Sequence, residues 1–119
     1  MKWACVFLLA ALPAGAEIVE IAWNAEGRFE REMQIAPGKF GELCGRLLEG
    51  QRVEWQFEAG APLDFNIHHH VGKDVHYSEK RRALRQAQGR LEVRLEQDYC
   101  WMWTNPGAAG ALLKVRLAR

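Results

Sequence analysis

The stretch from Leu63 to Tyr77 most restricts what this chain can fold into. Phe65, Ile67, His69, Val71, Val75 and Tyr77 share one parity, and Asn66, His68, His70 and His76 share the other. Alternation of this kind is the signature of strands with one buried face. The stretch reads as a hairpin. A three-residue turn at Gly72, Lys73 and Asp74 sets Val71 opposite Val75 and His70 opposite His76, with every apolar side chain on one side. A two-residue turn would put a histidine on the apolar side, so the pattern favours the longer one. In that register His68, His70 and His76 project from one surface and His69 points inward.

The same period recurs along the chain. Val19, Ile21 and Trp23 form one alternating set; Phe29, Met33 and Ile35 form another, with Arg31 an inward misfit. Val53, Trp55 and Phe57, then Leu91, Val93 and Leu95, then Tyr99, Trp101 and Trp103, and finally Leu113, Val115 and Leu117 continue it. Turn signals lie between these sets, among them Asn24 to Gly27, Ala36 to Lys39, Ala59 to Pro62 and Pro106 to Gly110. Phe40 to Leu48 suits a strand or one helical turn. Ser78 to Gly89 breaks the period and is rich in charge, which reads as a short exposed helix or a mobile loop. The expectation is an all-β fold, an antiparallel β-sandwich of the jelly-roll kind with about eight strands and one short helical or loop insertion.

At 119 residues with a formal net charge of +1, the chain has no basic excess that would recognise nucleic acid. Residues 1–16 have the layout of a signal peptide: a basic start, an apolar run and an Ala-Gly-Ala ending before Glu17. The run is about ten residues, short of the roughly 20 that cross a bilayer. Cleavage after Ala16 leaves a single domain over 17–119, periplasmic or secreted, with no stable membrane anchor. It also removes Cys5 and leaves Cys44 and Cys100, expected to form a disulfide in an oxidising compartment.

Two chemical readings of the mature chain follow. Imidazoles two apart on a strand, joined by a third from the paired strand, can converge on one cation, so His68, His70 and His76 are candidate ligands for zinc or copper. Asn66, Asp64 or water would complete the shell, and His69 would sit behind it or in the core, satisfied by backbone or by Tyr77. The other reading is a binding domain for an envelope protein or a small apolar ligand. It would use a sheet face or a docking loop carrying Lys80, Arg81, Arg82 and Arg85. Trp55, Tyr99, Trp101 and Trp103 either line a ligand groove or fill the core, and their parity favours the core. Catalysis is not expected. Beyond Ala16 the chain has one serine, Ser78, and one threonine, Thr104, with no nucleophile elbow around either and no phosphate-cradling loop.

The strand Val53 to Phe57, the strand Asp64 to Ile67, the hairpin and the aromatic strand ending Trp103, Thr104 and Asn105 together resemble the GOLD domain. That β-sandwich is found in Golgi cargo receptors and some lipid-transfer proteins, and the resemblance covers roughly Cys44 to Leu117. It implies a sandwich with a role in binding proteins or lipids. Cargo receptors carry a cysteine where this chain has Met102, so Cys100 stands two residues earlier on the same strand face. The chain also resembles a small family of exported bacterial proteins.

Overall fold

A computed structural model describes residues 16–119; residues 1–15 of the segment read as a signal peptide, with Cys5, lie outside the described residues. Seven strands run through them: β1 (Glu17–Glu20), β2 (Arg28–Ile35), β3 (Phe40–Leu47), β4 (Arg52–Val71), β5 (Asp74–Glu92), β6 (Gln97–Thr104) and β7 (Ala111–Ala118). Among the described residues there is no helix. The hydrogen-bonded order is β1-β3-β6-β4-β7-β2, with β5 on the other side of β4. All pairs are antiparallel except β1 with β3, which run parallel.

The sandwich is made by one seven-stranded sheet that folds over along β4. The Glu54–Ala59 half of β4 pairs with β7 and its Asp64–His68 half with β6. Between them lie Ala59 to Pro62, where the register with β5 shifts and Pro62 has no N–H to give to a ladder. The strand turns a corner there. The inner faces of the two halves therefore meet, and their aromatic rings form the centre of the core. Phe65 lies 5.0 Å from Trp55, 4.9 Å from Phe57 and 5.4 Å from Trp103, with Phe57 and Trp103 edge to face at 5.6 Å. Each such pair adds about 0.5–1.5 kcal/mol beyond the area it buries. Leu43, Leu47, Val53, Leu63, Ile67, Trp101, Leu113 and Leu117 close around them, all buried. The aromatic strands are thus core, as their parity implied.

One local choice left open is settled, and two expectations need correcting. Phe40 to Leu47 is a strand, and Leu43 and Leu47, four apart, share its buried face. Ser78 to Gly89 is neither helix nor loop but the middle of β5. Its period is hidden because its register against β4 breaks three times, at Ser78, at the Arg82–Ala83 pair opposite Asp64 and between Leu84 and Gln86, so side-chain parity flips at each. Among the described residues β5 pairs with β4 alone, and charges along such an edge discourage pairing with other chains. Arg31, the inward misfit, escapes the core by reaching Glu17 of β1 at 2.7 Å.

The second correction concerns the hairpin. Its turn has two residues, Gly72 and Lys73, and the pairs are Val71 with Asp74, His70 with Val75, His69 with His76 and His68 with Tyr77. Gly72 has φ +61°, the left-handed first position that a two-residue type II′ turn requires. Burial does not oppose this register, because the hairpin tip extends past the last residue that β6 pairs, His68. Val71, Val75 and Tyr77 are 44%, 43% and 49% exposed. Without a core beneath them, turn geometry decides.

Candidate functional site

Cys44 and Cys100 are directly opposite each other on β3 and β6 and are bonded. The bond fixes two rows on the outer face of this sheet. One runs Glu42, Met102, Asn66; the next runs Cys44, Cys100, His68. His70 follows on β4, and Tyr77 of β5 stands across from His68. The His68 and His70 rings meet edge to face at 5.3 Å, and Tyr77 lies 6.2 Å from His68.

His68 is only 7% exposed, so its polar atoms depend on their neighbours. Asn66 Oδ1 is 2.7 Å from His68 Nδ1; as that oxygen accepts, Nδ1 carries the hydrogen. On the far side of the ring, Nε2 faces Glu42 Oε1 at 3.5 Å. Burial pulls the His68 imidazole below its ordinary value, and the neighbouring His70 and His69 add to this. Burial pushes the Glu42 carboxyl up, against a smaller opposing effect of His70. An ion pair would move both groups the other way, so burial and not mutual attraction is the cause of each shift. Cys100 lies close to both, but its sulfur is bonded and offers no thiolate.

The histidines do not form the expected trio. His68 and His70 share the outer face, whereas His76 lies on the opposite face and stacks on His69 at 5.2 Å and 15°. The two-residue turn is the cause, since it shifts β5 by one position and reverses the side from which His76 projects. His69 also packs on Tyr99 at 5.0 Å, and its Nδ1 is buried with no hydrogen-bond partner among the described residues. Tyr77, named as its partner from the sequence, is on the other face. Asp64 is engaged elsewhere: its Oδ1 accepts the Ala83 N–H at 3.0 Å.

The basic residues expected on a docking loop line the β5 strand instead. Lys80 lies 4.3 Å over the Tyr77 ring, Arg81 pairs with Glu79 at 2.8 Å, and Arg85 donates to the Gly60 carbonyl at 3.0 Å. Arg82 is exposed at the bulge. Glu42 was missed by the sequence reading. Its parity with Cys44, taken with the disulfide to Cys100, is the signal that places it beside His68.

No protein family and no curated protein matches the sequence. Its fold matches solved structures. The periplasmic inhibitor of g-type lysozyme PliG from Aeromonas hydrophila is 10% identical, with a TM-score of 0.64 over 87% of this chain and 96% of its own. The pre-peptidase C-terminal domain of a Bacillus anthracis collagenase is 7% identical, with a TM-score of 0.62 over 89% and 97%. PliG from Salmonella Typhimurium is 7% identical, with a TM-score of 0.57 over 86% and 96%. At such identities the likeness is one of fold.

Proposed function

We propose that this chain is an exported, non-catalytic domain that binds a protein partner, with a lysozyme as the partner class. The observation that carries the reading is the likeness to lysozyme inhibitors over almost the full length of both chains. The disulfide between Cys44 and Cys100 supports an oxidising compartment, where such bonds persist. The GOLD resemblance points to the same class of role.

An inhibitor that works by covering its target needs a rigid surface with an apolar anchor, not reacting groups. The tip of the β4–β5 hairpin offers one, with Val75 and Tyr77 on one face and Val71 on the other. The small-ligand alternative is weaker, because the aromatic rings that would wall a groove are used in the core.

The test is lysis of a peptidoglycan suspension by a g-type lysozyme, with and without the untagged protein recovered from the periplasm of an expression host. Lysis should stop near equimolar protein, and Tyr77→Ala combined with Val75→Asp should weaken inhibition at least tenfold. Unimpeded lysis at a hundredfold excess, with no binding by calorimetry, would overturn the proposal.

A further inference from the structure

We propose that Glu42, His68 and His70 form a zinc site on the outer face of the sheet, with Asn66 as the group that orients His68. Asn66 takes the hydrogen of His68 Nδ1, so a neutral His68 presents a lone pair at Nε2. That lone pair points at an oxygen of Glu42 3.5 Å away, and both side chains are nearly buried. Two acceptors facing each other in a dry place call for a proton or a cation between them.

The spacing suits a cation. Zinc holds imidazole nitrogen and carboxylate oxygen at about 2.0–2.2 Å in a tetrahedron, which sets two such donors roughly 3.3–3.5 Å apart. Glu42 and His68 have that separation before any movement. His70 has its ring centre 5.3 Å from that of His68 and is exposed, so rotation about its side-chain bonds can bring in a third ligand. Water takes the fourth position. Asn66 holds the tautomer and ring plane, the role that outer hydrogen-bond partners play for metal-bound histidines. The ligands come from two strands, β3 and β4, separated by β6. The neighbouring disulfide locks β3 to β6 and so fixes Glu42 in place.

This site differs from the one read in the sequence by exchanging His76 for Glu42, and the exchange is what the experiment tests. Untagged, exported protein with its disulfide intact is freed of metal by chelator and titrated with zinc chloride by calorimetry. One zinc per chain is expected. Glu42→Gln, which keeps the shape, and His70→Ala should each weaken binding at least tenfold, Asn66→Ala about 10- to 100-fold, and His76→Ala should leave it unchanged. Because His68 is buried, His68→Ala risks misfolding, and the isosteric Glu42 change carries the decision. Absence of zinc binding, unchanged affinity in Glu42→Gln, loss in His76→Ala equal to that in His70→Ala, or binding only after reduction of the disulfide would each overturn the site.

Discussion

Gly89 stands opposite Trp55 in the β4–β5 ladder with the indole laid over it, so that a Cβ at Gly89 would meet Trp55 Cζ2 at 2.6 Å. The indole cannot withdraw freely, because it packs against Phe57 and Phe65. Gly89→Ala should therefore cost about 1–3 kcal/mol, the range for overpacking a dense core. Gly60, on the same hairpin, has its nearest atom 3.8 Å from such a Cβ. Gly60→Ala should change stability by no more than about 0.5 kcal/mol. Urea denaturation of both variants compares them directly, and coincident curves would refute the close contact.

Asn105 ties three segments together from a fully buried position. Its Nδ2 donates to the carbonyls of Ile35 at 2.9 Å and Ala109 at 2.8 Å, while its Oδ1 accepts from the Gly107 N–H at 2.9 Å. Its backbone adds bonds to Gly38 and Lys39. Asn105→Ala strands the three groups that the side chain satisfies and should cost about 2–4 kcal/mol. Hydrogen exchange should then quicken at Gly107 more than at Gly38, whose bond is to the Asn105 backbone.

Where strands are flanked by core on one side, their parity was plain in the residues themselves. Val53, Trp55 and Phe57 and then Tyr99, Trp101 and Trp103 are buried as their alternation implied, and Cys44 and Cys100 are bonded. The reading failed where burial stops enforcing parity. At the hairpin tip Val71, Val75 and Tyr77 have no second sheet to cover them, so the apolar pattern carried no register information and Gly72 set the turn. Along β5 the bulges at Ser78 and Ala83 break the alternation that would have marked a strand. The site inherits both effects: parity across a three-residue turn sets His76 with His70, and the two-residue turn moves it to the other face. Glu42 entered only when the ladder set its row beside Asn66.

The Cys44–Cys100 bond closes a loop with a sequence separation of 56. The chain-entropy model gives such a loop about 4 kcal/mol, by confining the unfolded chain. Replacing both cysteines with alanine should lower stability by up to that amount, and reducing agent should do the same to the natural protein while leaving the double variant unaffected. Urea midpoints with and without reductant measure both. A reductant effect on the double variant would show that the loss has another source.

Burial pushes the Tyr99 phenol above the ordinary tyrosine value. A group raised in this way contributes stability that is complete below its unfolded pKa, about 10, and lost as pH climbs through the folded value. Stability should therefore fall above about pH 10, and Tyr99→Phe should remove that part of the alkaline loss. In Tyr77→Phe, where Tyr99 is the remaining phenol, absorbance at alkaline pH should rise later than for free tyrosine, in step with unfolding followed by tryptophan fluorescence. An ordinary titration in a still-folded protein would contradict the burial.

Ala83 holds φ +57° at the second bulge of β5, a left-handed conformation that favours glycine. The Asp64 carboxylate holds it there by accepting its N–H at 3.0 Å. A side chain with Cβ costs about 1–2 kcal/mol in this region, and glycine gives back roughly 0.5–1 kcal/mol through the freedom it adds to the unfolded chain. Ala83→Gly should therefore stabilise the protein by about 0.5–1 kcal/mol. Ala83→Val should destabilise it by more than this, because a β-branched residue tolerates positive φ least. Asp64→Ala should cost about 1 kcal/mol in the natural chain by removing the acceptor, and less in the Ala83→Gly background, where the turn is held with less strain. Thermal and urea unfolding of the four variants would settle the sign, and a destabilised Ala83→Gly protein would mean that the bulge is not strained.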